Sequence, residues 1–430
     1  MSGAILTLVI CTFGGFGMAW WARRDAARPM TTTYGWDLRT FRSNWLKLGA
    51  ALGLVLFVSA PIGFSWLGYK RFHLPAKLIP GLPLSEFGLS VLTLAGIFAI
   101  GTLALNMLTG FAGQVSLGHA SLIGIGAYGA GYFGQQLMVG GRHLPFLVCI
   151  VLAGLLGALI SAVIGPFALR LRGDYLAVIS VGLLVFSEHV FNAWADVTGG
   201  TPGRTGLPQP VLAVAPGKSL VFSLPETGET EFFGTFLFTR NMGYFWLAWA
   251  LVVVAILIAR NVVRSRQGRA MMAVRDRDVS AEAIGIDLSR TKVKAFALCG
   301  GLAGVSGALY GAYIQSITPE FFNLNLSIQY VAMMIVGGAG TITGSVFGAL
   351  LLGSLDRIFD RFRWIFSKPV LKQIFFFVTS DGTGKGMKIG NFVRMVSGLA
   401  IVVFLIFFPQ GIVALWERLK RFVRRWPFAS

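Results

Sequence analysis

The chain has 430 residues, 55% hydrophobic and 13% charged, with a formal net charge of +19. Soluble domains carry about 25% charged residues, so this composition excludes a soluble enzyme or binding module and points to an integral membrane protein. Apolar runs of about 20 residues fit membrane helices and exclude a barrel, and the positive charge gathers at their ends, where topology and anionic lipid account for it without nucleic acid. The 55 glycines fit close helix packing in lipid. Cys11, Cys149 and Cys299 lie far apart inside apolar runs, with no disulfide or metal spacing, and read as small packing residues.

Residues 3–21 are apolar and are followed by Arg23, Arg24 and Arg28. A secretory signal carries its charge before the apolar run, so this run reads as a retained helix ending in the cytoplasm. Residues 45–66 form a second span, and 1–84 together an N-terminal extension with two extra membrane helices. A third span covers 87–108. The stretch GFAGQVSLGHASLIGIGAYGAGY, 110–132, is crowded with glycine and carries Gln114, Ser116 and His119 at its start. Gly110 and Gly113 are expected to break the helix. Two readings stand side by side: a broken helix beside a pathway, or a tight surface loop followed by a closely packed span from about 119 to 137.

Spans at 145–169 and 175–193 follow, the second containing Glu188 and His189. Residues 196–240 are polar, rich in proline and poor in basic residues, as an outer loop is. A span at 242–263 leads to SRQGRAMMAVRDRDVSAEAIGIDLSRTKVK, 265–294, where Arg264, Arg266, Arg269, Arg275, Arg277, Arg290, Lys292 and Lys294 place the loop in the cytoplasm. Residues 279–284 favour a helix. Ser280 is expected to cap it, Gly285 to end it in a left-handed conformation, and Ala281, Ala283 and Ile284 to face water as a small apolar patch. Such a helix suits docking onto a separate soluble motor, or is an ordinary amphipathic connector.

Residues 295–315 form the next span, with Gly300, Gly304, Ala308 and Ala312 as a four-residue stripe that admits a close neighbour. Residues 326–355 hold two short apolar pieces around GGAGTITG, 337–344, with Gly340, Gly344 and Gly348 continuing such a stripe; a re-entrant or short hairpin is expected. The basic insertion 356–394 lies outside by alternation and inside by charge. Its SDGTGKG, 380–386, fails as a phosphate loop, because Thr379 stands where glycine is needed and Gly386 follows Lys385. A last span begins at 395, and the basic tail 416–430 reads as cytoplasmic. The expected architecture is an all-α polytopic membrane protein with about 10–11 transmembrane or re-entrant helices.

Several stretches resemble the larger permease subunit of branched-chain amino acid ABC importers: GTLALNMLTGFAGQVSLGHASLIGIGAY (101–128), LRLRGDYLAVISVGL (169–183), TGGTPGRTGLP (198–208), GRAMMAVRDRDVSAEAIGID, VGGAGTITGSVFGA and PQGI (409–412). They fall in the family's order over 85–415, outside which lie the N-terminal extension and the 356–394 insertion. The resemblance implies a membrane domain of the type II ABC importer permease kind, in a bacterial inner membrane. It implies a sister permease, two ABC ATPase subunits and an external solute-binding protein as partners, with ATP used by the ATPases and no cofactor or metal on this chain. It makes 264–294 the coupling loop, with Arg269, Arg275, Glu282, Ala283 and Gly285 against the ATPase. Here Glu188 is followed by His189, Val190 and Phe191, where the family often has an arginine three residues after the acid.

No catalytic motif appears, and a transport subunit is expected. The residues read as lining a path for a zwitterion are Asn106, Gln114, Ser116, His119 and Glu188. The plainer readings are an interhelical hydrogen bond for Asn106, a capping or interfacial place for His119 and a wetted or paired acid for Glu188. Import of urea or short amides is the nearest alternative. A self-sufficient channel or proton-coupled carrier is disfavoured by the scarcity of intramembrane acids.

Overall fold

The computed structural model describes residues 86–139, 142–169, 174–207, 209, 211–215, 218–221, 230–232, 236–238, 240–361, 378–379 and 387–388, with single positions between 395 and 412. All of these belong to one compact unit, 65–413. The expected N-terminal helices, the C-terminal tail, and most of the basic insertion and the last span lie outside the described residues.

Ten helices position the site: α1 (Glu86–Leu105), α2 (His119–Gln136), α3 (Phe146–Leu169), α4 (Asp174–Ala193), α5 (Arg240–Arg264), α6 (Arg266–Asp276), α7 (Asp278–Ala283), α8 (Leu288–Ile314), α9 (Leu324–Gly337) and α10 (Ile342–Arg361). Strands among the described residues are short pairs in loops. Among the described residues, five helices are long and apolar enough to cross a membrane: α1 continued to Phe111, α3, α4, α5 and α8. The fold is the all-α polytopic membrane architecture expected from the apolar runs.

Between apolar helices in lipid there is no hydrophobic drive to associate, so close backbone packing must hold the bundle. The stripe on α8 provides it. A methyl group on Gly300 would overlap the carbonyl of Gly157 on α3, and one on Gly304 would press into Ala153 and Gly154. On the other side Gly126 of α2 meets the backbone of Gly304, and Gly307 meets the carbonyl of Ile123. Ala308 and Ala312 are buried on the same helix. α8 is thus wedged between α3 and α2 with backbones touching. α2 is encased by its neighbours, which is why it tolerates glycine, serine and histidine. α3 and α4 stay mostly exposed and present Leu155, Leu159, Val178 and Phe186 outward.

α9 and α10 are the two arms of the expected hairpin, joined by the turn at 338–341. The hairpin is longer than expected. It starts at Leu324, and its second arm passes 355 without a break, so the first six residues assigned to the insertion are helix. Gly344 and Gly348 lie against Gly337 and the Met333 carbonyl of α9. α10 runs antiparallel to α1: Thr341 meets Asn106, and Gly353 meets Phe98. Arg361 therefore lies toward the first turns of α1, away from the basic loop.

At that far end Arg204–Thr205 pairs antiparallel with Ser316–Ile317 after α8. The Arg204 guanidinium donates to Gln135 Oε1 on α2 at 2.5 Å. α5 is tied across the bundle by Tyr244 Oη donating to the Ala312 carbonyl at 2.9 Å and Trp249 Nε1 donating to that of Leu92 at 3.2 Å.

Candidate functional site

At the basic end the chain leaves α5 and turns sharply. Ser265 caps α6, accepting from the Gly268 N–H at 3.3 Å while its own hydroxyl donates to the Val262 carbonyl at 2.6 Å. A side chain on residue 268 would collide with the backbone of Val262 and Val263, so the turn requires glycine. α6 buries Met271 and Val274. Arg277, in extended conformation, then separates it from α7.

α7 starts at Asp278, two residues before the expected cap, so Ser280 lies inside the helix and caps nothing. The acid at the helix start, where it complements the dipole, sets the boundary instead. Ala281, expected to face water, is buried, and its carbonyl accepts from the Ile286 N–H at 3.0 Å. Gly285 does end the helix with φ +86°, in open space. Six residues do not make a stable helix alone. α7 is held to α8 by an ion pair of 3.1 Å between Asp278 and Lys292, whose side chain is buried. What remains outward is Val279, Ser280, Glu282, Ala283 and Ile284, with Val279 70% and Ile284 75% exposed. Arg269 is also exposed, and its guanidinium reaches back to the Arg264 carbonyl at 3.2 Å.

Arg275, itself exposed, turns its side chain the other way, back against the bundle. Its Nη1 donates to the Gly110 carbonyl at 2.6 Å. Its backbone and stem lie on Gly113, and a methyl group on Gly340 would come within 2.8 Å of Nη1. Three glycines from two separate turns thus approach one arginine of the loop. Gly340, read from the sequence as part of a packing stripe, sits in the turn between α9 and α10 with φ +78°. That turn is held by Asn106, which is fully buried: Nδ2 donates to the Thr341 carbonyl at 2.9 Å and Oδ1 accepts from the Gly340 N–H at 2.8 Å. Beneath Asn106, α1 widens into a π-turn over Asn106–Phe111, and the amide reaches across Gly110, where a side chain would overlap it. Gly411, from the motif at 409–412, rests on the backbone of Gly338.

The helix break falls after Gly110, over 112–118. The chain there doubles back beside α1. His119 Nε2 pairs with the Gly101 carbonyl at 2.9 Å, nine residues and roughly 13 Å of helix before Gly110. The segment therefore lies at membrane depth, and its burial alternates: Ala112, Gln114, Ser116 and Gly118 are buried, Gly113 and Val115 exposed. Both sequence readings hold in part, because a non-helical stretch precedes a closely packed helix. His119 is neither a cap nor an interfacial residue. It is completely buried, edge-on to Tyr330 at 5.2 Å between centroids. Glu188 is half-buried near the far end of α4, and its carbonyl accepts from Asn192.

The structure thus brings Asn106, Gly110, Arg275 and Gly340 into one cluster and leaves Glu188 apart. Gln114 and Ser116 lie beside the cluster, and Glu282, Ala283 and Gly285 lie on its outer side. The Asp278–Lys292 pair was hidden in the sequence, because its partners lie on two helices with the Gly285 turn between them and no single period relates them. The acid at the start of α7 was the one available signal.

Residues 88–379 match the family described as branched-chain amino acid transport system / permease component. Among curated proteins the chain is 29% identical over 273 residues to the high-affinity branched-chain amino acid transport system permease protein LivM of Salmonella typhimurium, covering 62% of this chain and 62% of that protein. It is 25% identical over 276 residues to the permease protein LivH of the same system and organism, covering 62% of this chain and 82% of that protein. To the autoinducer 2 import system permease protein LsrC of Salmonella paratyphi B it is 26% identical over 192 residues, covering 43% of this chain and 54% of that protein. The chain thus spans about three fifths of the length of the LivM relative. No solved structure matches it. With a membrane-helix bundle whose basic loop reaches into two glycine turns, and with the family match running through both, the chain belongs to the family of permease components of branched-chain amino acid transport systems.

Proposed function

We propose that this chain is one of two membrane-embedded permease subunits of an ATP-driven, binding-protein-dependent importer of branched-chain amino acids in a bacterial inner membrane. Energy enters through the 264–294 loop. The observation that carries the reading is the two-sided elbow of α6 and α7. One side offers Val279, Glu282, Ala283 and Ile284 to a soluble partner, and the other sends Arg275 onto Gly110 between the two turns.

A motor that pulls α7 then moves Arg275, and Arg275 moves the 112–118 and 338–341 backbones together. The loop needs two arrangements with different contacts to the ATPase, because only that difference biases the bundle between its states. ATP is used by the partner subunits, and this chain binds no cofactor. Amino acids are favoured over urea or autoinducer-like cargo by the LivM and LivH relatives, which cover more of the chain than LsrC does. The path candidates that fit this reading are Gln114 and Ser116. Asn106 serves it by holding the 338–341 turn, and His119 by fixing the start of α2 to α1.

Purification of the complex through this subunit tests the docking surface. Glu282→Arg is expected to strip the ATPase subunits while the sister permease stays bound. Full ATPase occupancy in that variant would contradict the reading.

A further inference from the structure

The segment 113–116 has a surface that lipid cannot cover. It lies below the membrane surface: the Leu117 N–H donates to Ser180 Oγ at 2.8 Å, and Ser180 is six residues, roughly 9 Å of helix, into α4. Its neighbours on both sides are well paired. The N–H groups of Gly113 and Gln114 donate to the Thr109 and Leu108 carbonyls, and the Ala120 N–H to Ser327 Oγ. Among the described residues, however, the N–H groups of Val115 and Ser116 and the Ser116 hydroxyl have no hydrogen-bond partner. Val115 is 42% exposed in the middle of this stretch.

An irregular backbone with open donors does not face hydrocarbon, where each such group costs several kcal/mol. Gly113, next in line, lies on Arg275, whose charged side chain is exposed at the basic end. The surface is therefore continuous with the aqueous phase on that side.

We infer that residues 113–116 form a wet wall of the translocation route in its loop-side half, with Val115 and its open N–H turned to water and, in transit, to the carboxylate of an amino acid zwitterion, and the open N–H and hydroxyl of Ser116, which is 6% exposed, just behind them. Val115 supplies an aliphatic surface next to those donors. This inference rests on the importer reading for its substrate, but its geometry does not. The wall also sits on the Arg275 contact, so movement of the loop changes its access directly.

The test is thiol accessibility in the assembled complex in proteoliposomes. Val115→Cys is made in a Cys11→Ser background. Cys149 and Cys299 are buried and stay. A charged, membrane-impermeant methanethiosulfonate is applied, with Leu155→Cys, 61% exposed on α3, as the lipid-facing reference. Val115→Cys is expected to react about tenfold faster than the reference or more, because the reagent needs a hydrated thiolate, and trapping the nucleotide-bound state is expected to change its rate. Reaction no faster than Leu155→Cys would make the face a lipid face. Reaction only after the partners are stripped would make it a subunit contact. Either result overturns the inference. Labelling is read without transport, so a complex that fails to take up amino acids under ATP still reports on the wall.

Discussion

Asn106→Ala is the sharpest perturbation of the turn cluster. The side chain is fully buried and makes two hydrogen bonds to backbone, 2.9 Å to the Thr341 carbonyl and 2.8 Å from the Gly340 N–H. Truncation orphans the Gly340 N–H, whereas the Thr341 carbonyl keeps the Ser345 N–H and hydroxyl as donors, each at 3.3 Å. An orphaned buried group costs about 1–3 kcal/mol. Because the bonds are local to one turn, most of the loss should appear as opening of that turn before the bundle unfolds. The assay is hydrogen–deuterium exchange of the purified complex in nanodiscs, followed on peptides covering 336–346. At about 2 kcal/mol, the middle of that range, exchange at Gly340 and its neighbours rises about thirtyfold, since each 1.4 kcal/mol is a factor of ten. Peptides from the centre of α8 should be unchanged. Unaltered exchange at 336–346, or an equal rise throughout the bundle, would refute the clamp.

Four further outcomes follow from the same contacts. Gly304→Ala is expected to prevent stable packing of α3, α2 and α8, because the new methyl group meets the Ala153 carbonyl, whereas Gly182→Ala, with nothing within 4 Å, should fall within about 0.5 kcal/mol of the parent; thermal stability by fluorescence size exclusion separates them. Lys292→Met removes the partner of Asp278. That carboxylate is about a third exposed, so the loss should fall below the roughly 3–5 kcal/mol of a fully buried pair, and the measurable sign is faster tryptic cleavage at Arg277. Gly285→Ala faces no steric neighbour but must hold φ +86°, which costs about 1–2 kcal/mol and should weaken ATPase retention less than Glu282→Arg does. Arg275→Ala should lower the amount of substrate moved per ATP by about tenfold or more, in line with a charged hydrogen bond of roughly 1.5–3 kcal/mol, and Arg275→Lys should recover part of it.

Much of the bundle was legible because lipid imposes simple rules. The spans on α3, α4, α5 and α8 follow from length and apolar content, and the α8 stripe at Gly300 and Gly304 from its four-residue period. Gly285 was readable as a helix end because few other residues take φ +86°. What stayed hidden depends on contacts between distant parts of the chain. Asn106 and His119 look alike in sequence to residues that line a pathway; only the approach of 340–341 and Gly101 shows that their polar atoms are already used. Gly340 continued a plausible stripe, yet its neighbour is an arginine 65 positions earlier. The cap at Ser280 failed because propensity names good caps without saying which residue starts the helix, and Asp278, paired with Lys292, won that place.

The most direct measurement is nucleotide-driven uptake. This chain is reconstituted with a sister permease, ATPases and a binding protein, and leucine uptake is followed with Glu282→Arg and Gly285→Asp in parallel. Coupling through the 264–294 loop predicts uptake that requires ATP and is lost in both variants while the two permease subunits remain assembled. Uptake by this chain alone, driven by a proton gradient and indifferent to both substitutions, would contradict it and make the protein a self-sufficient carrier.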